Sequence, residues 1–243
     1  MKTNNFLLLI FLFLFFASCK TSEKTSETTV INDLIVIESS EKLKLSLLKG
    51  EAFNNPTFVI WQEDMNGNYL KTLFITKSYA SGIFGHQLVG DSIWLNKSGK
   101  SIQPAALPYW THRKGLIKGK DLVPNPENPF VDGFSGATPN ANFELNTSVK
   151  NQNNQYRILV EVNQTWDWNK FWTNNKYPDS PAYKHSSQPS LIYAVTITAE
   201  GNEFYLNPIG HGCATGENGK LFTDITTLTT AKNIFKQIKV TTY

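Results

Sequence analysis

The chain contains the stretch TFVIWQEDMNGNYLKTLFIT at residues 57–76, which is a clear indication of its fold class. Its two ends, Thr57–Gln62 and Tyr69–Thr76, are rich in β-branched and aromatic residues, which are typical of strands. Between them lies Asn66-Gly67, a dipeptide that strongly indicates a tight turn joining two antiparallel strands. The stretch therefore predicts a β-hairpin.

Similar runs occur along the rest of the chain, and they predict further strands. These are Leu43–Leu47, Ser92–Leu95, Asn142–Thr147, Tyr156–Asn163, Leu191–Thr198, Glu203–Asn207 and Ile238–Thr242. Clusters of Asn, Gly and Pro separate them at irregular spacing, which favours an antiparallel sandwich. We expect an all-β fold, an immunoglobulin-like β-sandwich with one short helix near Thr229–Phe235. Two long loops are also expected, Pro104–Phe130 and Thr173–Pro189.

The N-terminus has the features of an export signal. Lys2 precedes an apolar run, Phe6–Phe16, which is too short to cross a bilayer as a helix. A basic start, a short apolar core and small residues are typical of a secretory signal peptide at residues 1–18. Ala17-Ser18-Cys19 resembles the lipobox of bacterial lipoproteins, and that resemblance implies lipidation of Cys19. The alternative is an ordinary secreted protein with a stray cysteine.

The remaining chain divides into a linker and one domain. Residues 19–30 are mostly Lys, Thr, Ser and Glu, a composition typical of a flexible tether. Residues 31–243 are long enough for one sizeable domain. The expected location is a membrane surface outside the cytoplasm, on the periplasmic or cell-surface side and in the outer membrane, with the lipid as the anchor.

The charge and cysteine content argue against a nucleic-acid-binding protein and against a domain stabilised by an internal disulfide. The formal charge is +3, and it becomes +2 when residues 1–18, which include Lys2, are removed. A chain so close to neutrality offers no electrostatic basis for binding nucleic acid. The chain has two cysteines, and acylation of Cys19 leaves Cys213 without an intramolecular disulfide partner.

The stretch Asp132-Gly133-Phe134-Ser135-Gly136-Ala137-Thr138 fits the pattern D-x-x-S/T-G-A-T at every specified position. This pattern resembles the recognition sequence of bacterial FMN transferases that act outside the cytoplasm. The resemblance implies that FMN is joined through its phosphate to the hydroxyl of Thr138. The alternative is a plain turn between strands, since Asp-Gly and Ser-Gly are common turn dipeptides.

The chemistry of attachment gives each motif residue an expected role. Gly136 lets the backbone turn sharply and lets a phosphate approach closely, and Ala137 leaves space for the transferase. Ser135 and neighbouring backbone N–H groups would hold the phosphodiester oxygens. Asp132 would bind backbone N–H groups and stabilise the turn. Thr138 should lie on an accessible loop.

Most of residues 57–165 resembles an uncharacterised family of periplasmic proteins found in flavin-transfer systems. The family pattern W-x-E-D-x-x-G-x-Y is matched by Trp61–Tyr69, and a following T-L pair by Thr72-Leu73. Leu-Pro-x-W is matched by Leu107–Trp110, and V-E-V by Val160–Val162. The flavin-binding subunits of sodium-pumping quinone reductases carry a helix after the motif, whereas the sequence here predicts a strand. The resemblance thus implies the acceptor chemistry without that fold.

We therefore expect a lipid-anchored flavoprotein that carries covalent FMN on Thr138 and transfers electrons between membrane or extracellular redox partners. The motif identifies an acceptor and no substrate pocket, so a redox carrier is favoured over an enzyme. The alternative is a non-redox sandwich that binds a sugar or peptide through Trp166, Trp168 and Trp172. On a strand, Trp166 and Trp168 would share a face and stack on a ligand, or they would instead cap the core.

Three smaller groups of residues do not predict a further site. His211-Gly212-Cys213 lacks a second ligand pair at metal-binding spacing, so a buried cysteine is expected. Glu63-Asp64 could form a paired-carboxylate acid/base site, but they lie at a hairpin end and are interpreted as solvated turn residues, since adjacent strand positions point to opposite faces. His86 and His112 have no recognisable partners.

Overall fold

The structure is a computed structural model, and it describes residues 26–31, 34–89, 93–150, 155–198 and 202–243. The predicted signal peptide, the predicted lipidation site Cys19 and residues 19–25 of the predicted tether lie outside these ranges.

Strands are the main secondary structure of the described residues, and the helices are few and short. The strands are β1 Ser26–Ile31, β2 Leu34–Lys49, β3 Thr57–Glu63, β4 Tyr69–Thr76, β5 Ile83–Phe84, β6 Gln87–Val89, β7 Ile93–Leu95, β8 Gly99–Lys100, β9 Ser135–Gly136, β10 Phe143–Lys150, β11 Gln155–Asn163, β12 Leu191–Thr198, β13 Glu203–Tyr205, β14 Asn207–His211 and β15 Phe235–Thr242. The helices are α1 Lys77–Ser81, α2 Pro108–Lys114, α3 Pro181–Ser186 and a 3₁₀ turn at Thr230–Asn233.

One large sheet is built around β2, which pairs antiparallel with β1, β10 and β15, while β13 pairs with β15. Along β2 the side chains of Leu43, Leu45 and Leu47 are buried, and those between them are not. This alternation is what the sequence predicted, and it places one face of the sheet against the core.

The second large sheet has six strands in the order β14–β12–β11–β3–β4–β9. It contains the predicted hairpin, in which β3 and β4 pair antiparallel. Gly67 has a φ of +81°, and its N–H donates to the Asp64 carbonyl at 3.1 Å. The left-handed conformation at Gly67 is the reason why Asn-Gly predicts this turn.

The two sheets pack face to face around one hydrophobic core. Leu45 and Val240 of the first sheet share this core with Phe58, Ile60 and Val160 of the second, and all five are fully buried. The all-β class and the antiparallel sandwich are therefore confirmed.

A second core covers the outer face of the six-stranded sheet, and the sequence did not predict it. Val59 and Trp61 of β3 point away from the sandwich core and pack with Tyr79 of α1 and Trp110 of α2. All seven residues of β3 are buried as a result. The predicted loop Pro104–Phe130 is thus a packed layer that contains a helix.

The structure corrects the helix prediction. The expected helix near Thr229–Phe235 is only the 3₁₀ turn, and Phe235 already begins β15. The three α-helices have five to seven residues, which is too short to show an amphipathic period. α2 and α3 begin at Pro108 and Pro181, and proline is favoured at the first position of a helix although it also marks loops.

The boundary of the tether also differs from the prediction. Residues 26–31 form β1 and pair with β2 from Ser26↔Ser39 to Ile31↔Leu34. The expected tether at 19–30 therefore overlaps a strand, because Thr28, Thr29 and Val30 are β-branched and favour an extended backbone.

Candidate functional site

The motif 132–138 lies at one end of the six-stranded sheet. Its Ser135 and Gly136 form β9, which pairs in parallel with Ile75 and Thr76 of β4. The N–H of Ile75 also donates to the carbonyl of Phe134 at 3.0 Å. The motif is therefore held as a short strand on the central hairpin.

The side chains of the motif differ in exposure. Those of Asp132, Ser135 and Ala137 are exposed, whereas Gly136 and Thr138 are half-buried. The proposed acceptor is thus less accessible than an open loop would make it. The exposed residues on its N-terminal side remain available to a second protein.

Gly136 does not form the sharp turn that the sequence suggested. It lies in β9 with no left-handed backbone, and a Cβ built on it would stand 3.1 Å from Cε2 of Phe74. Phe74 is buried and stacks on Phe58 at 5.1 Å between ring centroids. A side chain at this position would press on the Phe74 ring, because the backbone lies close to that ring.

The expected role of Asp132 in the turn is also not seen. Within the part of the chain that the structure describes, no hydrogen bond ties its carboxylate to the motif backbone. Its charge instead acts on Lys114 at the end of α2. Burial lowers the pKa of Lys114 to about 8, and the Asp132 carboxylate opposes that shift. The Lys114 ammonium donates to the carbonyls of Gly115 and Leu122, at 2.6 and 3.1 Å.

An open cavity of about 330 Å³ lies beside the acceptor, and Thr138 forms part of its wall. The other lining residues come from separate parts of the chain and include Phe84, His86, Gln103, Trp166 and His185. Among the described residues that line it, none carries an Asp, Glu, Lys or Arg side chain. Burial lowers the pKa of His185, which keeps this imidazole neutral at neutral pH. The described part of the wall therefore has no carboxylate, ammonium or guanidinium group and is partly aromatic.

Gln103 supplies an unsatisfied polar group at this cavity. Its side chain is 4 % exposed, and its Oε1 atom has no hydrogen-bond partner among the described residues. Its Nε2 atom donates to Oγ of Ser101 at 3.4 Å, which leaves the oxygen as the unpaired end. Buried acceptors of this kind are rare in folded proteins. No sequence pattern indicated Gln103 or His185, because neither lies in a motif.

The three tryptophans that the alternative interpretation groups together do not line one site. β11 ends at Asn163, so Trp166 and Trp168 do not lie on a strand. Trp168 packs on Tyr183 at 5.6 Å, and Trp172 is buried and contacts the same ring at 6.5 Å. Only Trp166, which is 48 % exposed, reaches the cavity. The expectation that the cluster caps the core holds for Trp168 and Trp172.

The residues of the family pattern meet beneath the motif. The indole N–H of Trp61 donates to Oε1 of Glu63 at 3.0 Å, and that of Trp110 donates to Oγ1 of Thr72 at 3.0 Å. The ring of Phe130, two residues before the motif, packs edge-on against Trp110 at 5.1 Å. These residues form a platform that positions the start of the motif.

Glu161, the centre of the V-E-V pattern, connects this platform to the sheet. Its carboxylate accepts hydrogen bonds from the backbone N–H groups of Tyr109 and Trp110 at 3.1 and 2.7 Å, and from Ser190 Oγ at 2.6 Å. It thereby caps the first turn of α2, where Leu107 provides no side-chain cap. Complete burial raises the pKa of Glu161 to about 7.

Glu63 and Asp64 do not form an acid/base pair. Asp64 is a turn residue, as expected, and its Oδ1 accepts from the N–H groups of Asn66 and Asn68. Glu63 is buried, contrary to the expectation that both are solvated, because its carboxylate binds the Trp61 indole and lies 3.4 Å from Nη1 of Arg157.

The side chains of His211 and Cys213 contact neighbouring residues of the fold. Cys213 is buried, as expected, and its Sγ lies 3.4 Å from Oγ1 of Thr215. The His211 ring stacks on Phe222 at 5.2 Å. Within the described ranges, no group of three or more His, Cys, Asp or Glu residues is arranged to hold a metal ion.

Comparisons with known proteins do not identify a relative: no family model, no curated protein and no solved structure matches the chain. In the described part of the chain, no helix has the length and apolar character needed to cross a membrane.

Proposed function

We propose that this chain is a lipid-anchored flavoprotein outside the cytoplasm, with FMN joined covalently to Thr138, and that it carries electrons between redox proteins. The observation that carries the proposal is the position of Thr138. It ends a complete D-x-x-S/T-G-A-T motif and also lines a cavity whose described wall is partly aromatic and has no carboxylate, ammonium or guanidinium group. A plain turn would not require such a cavity beside the last motif residue.

The chain contributes the acceptor and its surroundings. Oγ1 of Thr138 forms the new phosphoester bond while the phosphoanhydride of a flavin dinucleotide breaks. The nucleoside monophosphate leaves, and a base on the transferase takes the hydroxyl proton. When bound, the flavin supplies reversible one- or two-electron chemistry. The partners are therefore an FMN transferase, membrane or extracellular redox proteins, and the membrane itself through Cys19.

The residues present fit this cofactor. The cavity volume of about 330 Å³ is at the lower end of the range of roughly 300–1,000 Å³ that is usual for small-molecule sites. It suits one planar ring system, while the phosphate remains at Thr138. The exposed edge of the motif at Asp132, Ser135 and Ala137 gives the transferase a surface to contact.

The second candidate is a non-redox module that binds a sugar or peptide. The observation in its favour is that the cavity combines Trp166 with amide and imidazole groups. Trp168 and Trp172 contribute nothing to it, because their rings pack against Tyr183. This candidate gives no reason for a complete acceptor motif at the cavity wall, so the flavoprotein is preferred.

The test is co-expression with an FMN transferase, followed by the mass of the intact protein and of the peptide around residue 138. The wild type should carry one FMN, Thr138→Ala should carry none, and Thr138→Ser should retain some. Thr196→Ala is the matched control and should keep the adduct, since its hydroxyl is exposed on β12 and lies outside the motif. An adduct in Thr138→Ala, or on Ser135, contradicts the proposal, and an unmodified wild type favours the ligand-binding module.

A further inference from the structure

We propose that an open cavity at the end of β2 binds a phosphate group, which belongs either to the headgroup of an anionic lipid or to a soluble phosphate. The cavity has a volume of about 710 Å³ and lies where the end of β2 meets the 3₁₀ turn and the start of β15. Its lining includes Lys49, Lys232 and Lys236. The residues of the flavin motif do not line it, so this site is separate from the proposed attachment site.

The first argument is the charge of the wall. The described residues that line the cavity bring three ammonium groups and one carboxylate, that of Glu51, so two positive charges are in excess. In the described part of the chain, no carboxylate lies within ion-pairing distance of these three lysines, whereas Lys239, further along β15, pairs with Glu203 at 2.7 Å. Like charges held close together repel each other, and a bound anion would offset that repulsion.

The second argument is the backbone geometry that brings two of the lysines side by side. In the pairing of β15 with β2, Phe235 lies opposite Lys49, but the next paired residue of β15 is Gln237. Lys236 is therefore the extra residue of a β-bulge. A bulge redirects the side chain of its extra residue, and bulges are over-represented next to active sites. Here the bulge places Lys236 beside Lys49 in the wall of one cavity.

The third argument is a close backbone contact that forms part of the wall. The N–H of Gly50 donates to the carbonyl of Ile234 at 2.8 Å. A Cβ built on Gly50 would collide with the carbonyl oxygen of Asn233, so the absence of a side chain allows this approach. Gly50 and Asn233 directly follow Lys49 and Lys232 in the chain. The contact therefore fixes how far apart these two lysines are.

Asn142 adds a neutral hydrogen-bond donor to the wall. Its Oδ1 accepts from the backbone N–H of Lys49 at 3.0 Å, which orients the side-chain amide. Among the described residues, no acceptor is hydrogen-bonded to its Nδ2 group, and Asn142 lines the cavity. A phosphate group combines negative charge with several acceptor oxygens, so it matches ammonium and amide donors together. The lining therefore suits a phosphate group.

A membrane is one source of such groups. The proposed function ties the domain to a bilayer through a short tether, which brings it close to lipid headgroups. A lysine near an anionic membrane surface strengthens binding about fivefold. The lipid source therefore rests on the anchoring part of the proposed function, whereas a soluble phosphate requires no membrane.

The experiment uses the full chain with Cys19→Ser and without flavin, so that neither an acyl chain nor a cofactor contributes to binding. One arm titrates the protein with inorganic phosphate and measures the heat of binding. The other arm measures co-sedimentation with vesicles of phosphatidylglycerol and phosphatidylcholine, and with vesicles of phosphatidylcholine alone. Binding in the first arm shows that free phosphate is sufficient. Binding only to the phosphatidylglycerol vesicles assigns the lipid headgroup.

The variant that tests the site is Lys232→Gln with Lys236→Gln. It should weaken binding about five- to twentyfold in whichever arm shows it, because two ammonium groups are lost. The matched control is Lys118→Gln with Lys120→Gln, which removes the same charge from two exposed lysines that do not line the cavity. At physiological salt the control should change binding by less than about twofold, since exposed charges far from the ligand are screened. Unchanged thermal midpoints show that both variants are folded.

Glu51→Gln tests the same site with the opposite sign. It removes the one carboxylate of the described wall, so binding should strengthen about two- to fivefold. Glu217→Gln makes the same charge change at an exposed residue outside the cavity and should leave binding unchanged.

The proposal is overturned if neither arm shows binding, or if the lysine pair and its control weaken binding equally. Affinity that does not rise in Glu51→Gln also contradicts it. The proposed function is judged separately, by the FMN mass on Thr138 and by the lipid mass on Cys19. Each proposal can therefore fail while the other stands.

Discussion

The carboxylate of Glu161 accepts a hydrogen bond from the backbone N–H of Trp110 at 2.7 Å, although 51 positions separate the two residues in the chain. This bond joins the central strand β11 to the first turn of α2. The Trp110 ring in turn supports Phe130, and the motif begins two residues later. A substitution that breaks this hydrogen bond should therefore lower the stability of the protein and alter the position of the motif.

Stability should depend on pH through Glu161. Its folded pKa is raised from 4.5 to about 7, so the folded state binds the proton more tightly than the unfolded state. The resulting stabilisation is complete below about pH 4.5 and is lost as the pH rises through 7, a change on the order of 3 kcal/mol. In Glu161→Gln the amide cannot titrate, so the free energy of unfolding of the variant should rise relative to that of the wild type as the pH increases. Urea unfolding between pH 5 and 8 measures this, and parallel pH profiles for the two proteins would contradict it.

Thr72→Val should destabilise the platform. Oγ1 of Thr72 accepts from the Trp110 indole N–H and also lies 2.7 Å from the Tyr69 hydroxyl. Valine keeps the shape but leaves the buried indole N–H without an acceptor, which costs about 1–3 kcal/mol. The matched control is Thr196→Val on β12, where the side chain is exposed and the change should stay within about 0.5 kcal/mol. Equal unfolding midpoints for the two variants would show that the hydrogen bond to Thr72 does not contribute to stability.

Gly136→Val should disturb the motif through packing. The new side chain would meet the Phe74 ring, whose Cε2 is 3.1 Å from the first added atom. Overpacking of this kind costs about 1–3 kcal/mol and should displace β9 from β4. Ala137→Val is the control, because Ala137 is the exposed neighbour and should change stability by less than about 0.5 kcal/mol. Thermal unfolding of the two variants, with FMN content by mass, provides the comparison.

Cys19→Ser should abolish membrane anchoring. The motivation is Ala17-Ser18-Cys19 after the short apolar core, and attachment through acyl chains requires the cysteine thiol. The variant should lose the lipid mass and leave the membrane fraction. Cys213→Ser removes the other cysteine and should leave anchoring and flavin content unchanged, at a modest cost in stability. Membrane partition and mature mass that do not change in Cys19→Ser would refute the prediction.

Much of the fold could be predicted from local patterns. The hairpin from Thr57 to Thr76 is as expected, because its turn chemistry and its strand composition agree. The short helices were missed, since α1 has five residues and α2 begins at a proline. The grouping of Trp166 with Trp168 was wrong because β11 ends at Asn163, and a periodicity argument holds only within a continuous strand.

Local sequence patterns were enough to predict the all-β class and most of the strands and to identify the motif that ends at Thr138, because strand periodicity and turn residues act over a few neighbouring positions. The burial of β3 on both faces of the six-stranded sheet and the capping of α2 by Glu161 became visible only in three dimensions. The same holds for the cavity that Gln103, Trp166 and Thr138 line together. These contacts join segments that are far apart in the chain. Which polar groups lie buried together depends on how whole layers pack, and no local pattern records that.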